Sequence, residues 1–180
     1  MVNRKNVQSE FELYEPMRLW LNDYLTDKYK NYEIITVDAH SERLDRVLNK
    51  YGVVNDTATG VDIQIDVLGI VRNSKSVKLF FIEAKKTSLT LRDLGQLWAY
   101  CKLIDPDEAF LMTSADLGSL SKLLNTFKRE DLLDFGDDKR IKKMKVAVWN
   151  LTTNAPEIST MIPKTSFNEF INLSIYSSIL

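Results

Sequence analysis

The sequence predicts a mixed α/β sheet with helices packed on its faces, and three observations carry that prediction. Two strand-like runs, residues 61–67 and 78–85, flank a short polar stretch at 72–76 suited to a hairpin. A helical apolar stripe follows at once, from Leu94 to Ile104. Beyond it, apolar runs at 109–113 and 145–151 alternate with an amphipathic segment at 117–128, so strand and helix interleave after the hairpin.

In chain order, residues 1–8 read as a polar start. Ser9, Glu10, Phe11 and Glu12 have capping-box spacing, and Pro16 sets the regular helix to begin near Tyr14 or Glu15. From there Met17, Leu19, Trp20, Leu21, Tyr24 and Leu25 carry a helical pattern to about Tyr29. Residues 32–37 read as a first strand, and residues 41–50 as a short charged helix with Leu44, Val47 and Leu48 inward. His40 falls at the boundary of that helix, and the sequence offers it no partner. Residues 52–60, rich in Asn, Asp, Thr and Gly, form a loop at the sheet rim. Residues 61–67 then alternate apolar and polar with a period of two, a strand ending about Asp66.

Thr90 to Asp93 open the central helix as a capping box with Asp in place of Glu. Leu94, Leu97, Trp98, Cys101 and Ile104 are its expected buried stripe, while Gln96 and Tyr100, four apart, share another face. Asp105-Pro106-Asp107 ends it. A closing helix is expected from about Ser166. Trp20, Trp98 and Trp149 all sit in core-patterned segments and are assigned to packing, with Tyr51 and Phe135 nearer loops.

The chemistry lies in the second run, Lys78-Leu79-Phe80-Phe81-Ile82-Glu83-Ala84-Lys85, which is apolar until it breaks into charge. Glu83 and Lys85 share one strand face, roughly 7 Å apart. The hairpin brings Asp66 beside them. Two carboxylates and an ammonium at the end of an apolar sheet are costly unless a cation or a substrate uses them. Metal-assisted phosphodiester hydrolysis wants this set, because Mg²⁺ prefers oxygen ligands and keeps several waters. Asp66 and Glu83 would supply carboxylate oxygens, and the backbone carbonyl of Ala84 a third ligand, around one ion or two. The cation acidifies water and offsets charge on the phosphate. Lys85 would orient or deprotonate the water, or hold a phosphate oxygen as a point charge. Taken singly, each residue has a plainer role: an exposed ion pair for Glu83 and Lys85, a turn residue for Asp66, a solvated helix position for Gln96.

Asp66, the Glu83-Ala84-Lys85 triplet and a following helix bearing Gln96 resemble, in that order, the PD-(D/E)xK nuclease superfamily of restriction endonucleases, junction resolvases and repair nucleases. The resemblance spans about residues 60–114, with residues 91–100 similar to the helix whose early Gln faces the site. It implies a restriction-endonuclease-like sheet, a DNA substrate, Mg²⁺ with Mn²⁺ as a substitute, and Asp66, Glu83, Lys85 and Gln96 as catalytic residues. The chain departs from the pattern in having no proline before the aspartate: Ile65 precedes Asp66, and Val61 precedes Asp62. Either aspartate fits the ligand position, and the run Ile65-Asp66-Val67-Leu68-Gly69 before the hairpin favours Asp66. Glu-rich first helices recur in the superfamily, where one Glu reaches the metal site. Glu10, Glu12 and Glu15 are candidates here, each also suited to a helix N-terminus electrostatically.

Composition bounds the reading. The 180 residues predict one domain, 1–180, with a catalytic core at about 60–114. Cys101 is the lone cysteine, so no intrachain disulfide forms, and its place in the helical stripe marks a buried thiol. With His40 the sole histidine, Cys/His zinc sites and His-based triads are almost excluded. No run approaches the ~18–20 apolar residues of a membrane span, and residues 1–5 lack a secretory pattern, which predicts a cytoplasmic protein without a membrane partner. A net charge of −1 is low for a stand-alone DNA binder, and so predicts a homodimer mate or a larger recognition subunit. Lys85, Lys86 and Arg92 flank the proposed site. Lys139, Arg140, Lys142, Lys143 and Lys145 form a second cluster, either contacting phosphate or balancing Asp131, Asp134, Asp137 and Asp138. The expected function is a Mg²⁺-dependent endonuclease cutting DNA, in restriction or another DNA-defence or processing role, whole or as a small catalytic subunit. The alternatives are a non-catalytic nucleic-acid-binding or assembly module and a nuclease for RNA or branched DNA.

Overall fold

Eight strands and four α-helices organise residues 7–164, the part of the chain described by a computed structural model. The helices are α1 (Phe11–Lys28), α2 (Leu44–Lys50), α3 (Leu91–Ile104) and the short α4 (Gly118–Ser121). The strands are β1 (Glu33–Asp38), β2 (Val67–Arg72), β3 (Val77–Lys85), β4 (Glu108–Thr113), β5 (Asp134–Asp137), β6 (Arg140–Lys143), β7 (Lys145–Asn150) and β8 (Ala155–Pro156). Six of them form a mixed sheet in the order β1-β2-β3-β4-β7-β8, and β5 and β6 pair as a separate ribbon. β1, β2 and β3 run antiparallel to one another, β3, β4 and β7 run parallel, and β8 returns antiparallel. The helix α3 makes the crossover that the parallel β3–β4 pair requires.

Alternation along β3 sorts its residues between two cores. Phe80, Ile82 and Ala84 face α1, whose Leu13, Met17, Leu21 and Leu25 are buried. Leu79 and Phe81 face the other way, toward Leu94, Leu97 and Cys101 of α3 and Leu44 and Val47 of α2. Each such fully buried aliphatic side chain contributes roughly 1.5–3 kcal/mol. Gly69 of β2 lets α1 come this close: a Cβ there would stand 2.8 Å from Leu25 Cδ1 and 3.1 Å from Phe80 Cβ. At the far end of β2, the turn into β3 is closed by Asn73, whose Oδ1 accepts from the amides of Lys75 and Ser76, each at 2.9 Å.

The structure differs from the sequence reading in several elements. Helix α1 begins three residues before Tyr14, because Leu13 is buried and Glu12 Oε1 accepts from the amides of Gln8 and Ser9 at 3.0 and 2.9 Å. Pro16 is therefore tolerated inside the helix, while Leu19 is exposed. Residues 61–66 are not a strand ending at Asp66; β2 begins just after it. Their backbone serves a loop instead: Leu44 N donates to Ile63 O at 2.8 Å, and Ala39 N to Asp66 O at 2.9 Å. Ile63 and Ile65 are buried while Asp62 and Gln64 are exposed and Asp66 half-buried, which reproduces a period of two without a ladder. Trp98 lies outside the buried stripe at 39% exposure, its indole donating to the Asp134 carbonyl at 2.8 Å. Phe135, by contrast, is buried. The helix expected at 117–128 is present but shorter and changes type, α4 running directly into a π-helix, Lys122–Thr126, in which Phe127 N donates to Lys122 O at 3.0 Å. The closing helix expected from Ser166 lies outside the described residues. No helix among the described residues is long and apolar enough to cross a membrane.

Candidate active site

Where β3 ends, its α3-facing side turns from apolar to charged: Phe81 is followed on that face by Glu83 and Lys85. The β2–β3 register pairs Val67 with Ile82, so one further step sets Asp66 opposite Glu83. Asp66 Oδ2 accepts from the Ala84 amide at 2.8 Å, which fixes the carboxylate against the end of β3. Lys85 Nζ donates to Glu83 Oε1 at 2.7 Å, and Gln96 Nε2, from α3, donates to the same oxygen at 3.1 Å. Asp66, Glu83, Ala84, Lys85 and Gln96 therefore meet at one place. Asp62 does not join them as closely. It is exposed, and its charge is felt by Arg43 and Tyr100.

Of the three glutamates at the start of α1, the structure selects one. Glu12 caps the amides before its own helix, and Glu15 pairs with Arg18 at 2.7 Å. Glu10 Oε1 accepts from the Lys86 amide at 3.2 Å, and its charge acts on Asp66, Glu83 and Lys85 together.

The site holds more negative charge than its single ammonium offsets. Glu83 is 3% exposed, and its carboxyl is pushed up to about 7 by burial and then by the charge of Asp66, with Lys85 pulling the other way. Burial also raises the Asp66 carboxyl, against the Ala84 amide, the Lys85 ammonium and the Tyr14 hydroxyl, which all favour its charged form. For Lys85, burial opposes the charge, but Glu83, Asp66 and Glu10 outweigh it and hold the ammonium above its ordinary value. Like charges out of water are what a divalent cation relieves.

The donor set suits Mg²⁺ or Mn²⁺ in a limited sense. Among the described residues no group of three or more His, Cys, Asp or Glu side chains is arranged to hold a metal ion. Mg²⁺, however, is commonly held through one or two carboxylates with water completing its octahedron. The Ala84 carbonyl is a fitting third oxygen. Lys85 O accepts from Ser114 N on the β4 side, and successive residues of a strand alternate. Ala84 therefore directs both its backbone groups to the Asp66 side, as its amide does.

Sequence reasoning missed Tyr14. Its hydroxyl donates to Asp66, and burial followed by the Asp66 charge holds it well above the usual phenol range. The residue read only as a helix start, and nothing local marks which side chain of an amphipathic helix reaches across to a strand end. His40 does have partners: its Nδ1 lies 2.5 Å from Asp38 Oδ1, and its ring lies 4.8 Å from Tyr14 and 4.9 Å from Phe11. Tyr100 is also near, its hydroxyl raised by burial and by the charge of Glu83 while Gln96 hydrogen-bonds it. Cys101 is buried and its thiol is pushed up, consistent with a packed, unreactive side chain.

No family model matches this sequence, and a comparison with curated proteins finds no match. Among solved structures, the crystal structure of a protein of unknown function, AF1548, is similar at a TM-score of 0.36 and 10% identity, over 80% of this chain and 61% of that one.

Proposed function

We propose that this protein is a Mg²⁺-dependent endonuclease hydrolysing DNA phosphodiester bonds, built on a restriction-endonuclease-like form of the mixed sheet. Its role would be restriction or another DNA-defence task, as an enzyme or as the small catalytic subunit of one, with a second copy or a recognition subunit adding affinity. One observation carries the reading: half-buried Asp66 stands opposite buried Glu83, with Lys85 and Gln96 converging on one Glu83 oxygen. When bound, the cation would acidify water and offset charge on the phosphate. Asp66, Glu83 and the Ala84 carbonyl would hold it. Lys85, held beside Glu83, would orient the attacking water or hold a phosphate oxygen. Gln96 fixes the orientation of Glu83, and Tyr14 that of Asp66.

A second reading, a non-catalytic nucleic-acid-binding or assembly module, is favoured by the Lys85–Glu83 ion pair itself, since that pair satisfies both partners without a metal. Cleavage of plasmid, single strands, junctions and RNA in Mg²⁺ and Mn²⁺ separates the readings. Plasmid cleavage that falls by about 10²–10⁴ in Lys85→Ala is the expected result. Cutting confined to RNA or junctions would reassign the substrate. Undiminished cleavage by both Lys85→Ala and Glu83→Ala would remove the mechanism. Calorimetry showing no Mg²⁺ or Mn²⁺ binding would leave only the second reading.

A further inference from the structure

The opposite end of the sheet carries a cleft that the proposed reaction does not use. It opens where β3, β4 and β7 begin and has a volume of about 370 Å³, within the range of small-ligand sites. Lys28 comes from the end of α1, Lys78 from β3, Arg140, Lys142 and Lys143 from β6, and Lys145 from β7. These six cationic side chains face two carboxylates, Asp107 and Glu108, in a chain whose net charge is −1. The two acids are shared. Glu108 serves both Lys28 and Lys145, each at 2.5 Å, and Asp107 serves Lys78 at 2.8 Å and Arg140 at 4.0 Å. Lys142 and Lys143 pair with Asp105 and Asp134. Even with those two acids counted, cations exceed carboxylates by two. Arg140 is the most loosely held, its side chain 70% exposed at the rim.

We infer that this cleft is a binding site for a phosphate-bearing anion, distinct from the carboxylate site. Lys78 and Lys85 are seven residues apart on β3, so the two sites are separated by roughly 23 Å. A phosphate bound here is therefore not the one positioned at Glu83. A concave wall with an excess of positive charge raises the local concentration of multivalent anions. Arg140 adds a planar fork of donors suited to phosphate oxygens, and the lysines add point charges. The inference does not rest on the nuclease reading. The phosphate belongs either to a free oligophosphate, such as the tail of a nucleotide, or to a nucleic-acid backbone.

Calorimetric titration of the full chain at low salt tests it, with inorganic tripolyphosphate in one arm and a short single-stranded oligonucleotide in the other. Saturable one-to-one binding of tripolyphosphate is expected, weakened about tenfold by Arg140→Glu or by Lys143→Glu and unchanged by Glu83→Gln. Oligonucleotide binding with the same sensitivity assigns the phosphate to a nucleic-acid backbone, and its absence assigns it to a free oligophosphate. The inference is overturned if neither probe binds, or if both charge reversals, shown by circular dichroism to be folded, leave binding intact.

Discussion

Glu83 and Glu108 stand on adjacent strands of one sheet, 3% and 11% exposed, yet their surroundings pull their carboxyls in opposite directions. Burial pushes each upward. At Glu83, Asp66 adds to that push and a single ammonium, Lys85, opposes it, so the carboxyl reaches about 7. At Glu108, the ammonium groups of Lys145 and Lys28 reverse the effect of burial and hold the carboxyl below its usual range, with Tyr24 donating at 2.9 Å. Depth of burial is nearly the same, so the neighbours decide. A buried acid that the fold has compensated is architecture. One placed among other acids keeps a charge that the fold itself does not offset.

The largest expected effect separates the two directly. Glu108→Gln strands two ammonium groups and should cost about 3–5 kcal/mol in urea unfolding at neutral pH. Glu83→Gln removes a repelled charge and should cost nothing, or stabilise. The reverse order would break the comparison.

Next is pH. The folded Glu83 carboxyl lies above its ordinary value of 4.5, so its contribution is fully present below about 4.5 and is lost as pH rises through about 7. Wild type should therefore lose up to about 3 kcal/mol relative to Glu83→Gln across that window, measured in EDTA. Glu108 has the opposite sign: its contribution is present above the ordinary value and is lost as pH falls through its lowered one. Parallel pH profiles for Glu83→Gln and Glu108→Gln would contradict the assignment.

Divalent cation is the third lever. At a Mg²⁺ concentration tenfold above its Kd, wild type should gain about 1.4 kcal/mol, more at pH 8 than at pH 6 because the cation displaces the Glu83 proton. Thermal melts of Glu83→Gln and Asp66→Asn should show no gain. The smallest effect concerns Tyr14→Phe, which removes one donor to Asp66. Stability should fall by about 1 kcal/mol. Mn²⁺ affinity by calorimetry should fall about tenfold while Glu108 variants leave it unchanged.

The legible parts of this molecule were those written in local periodicity. Glu83, Ala84 and Lys85 could be placed because a strand alternates residue by residue, and Gln96 because residues of one helix face recur at three and four. Residues 61–66 misled for the same reason. Burial of Ile63 and Ile65 alternates as it would in a strand, while the backbone bonds that define a strand go to Leu44 and Ala39 instead. Glu10 and Tyr14 reach the site only because the start of α1 lands on the ends of β2 and β3, a tertiary fact. The basic cluster shows the same limit. The sequence offers Asp131, Asp134, Asp137 and Asp138 as its balance; Asp134 does pair with Lys143, but Asp105, Asp107 and Glu108 supply the rest of the ion pairs from a different part of the chain.

The tight turn at Asn73 has a consequence far from where it sits. Because β2 and β3 are joined there directly, the number of residues in that turn decides which acid ends up across from Glu83. The turn works as a ruler laid along two strands, with its zero mark at one end of the sheet and its reading taken at the other. Losing one residue from it would turn one strand over relative to its partner. Losing two would slide Asp66 out of step with Glu83 while leaving both cores filled. The spacing of the carboxylates is thus set by a solvent-exposed loop that touches neither.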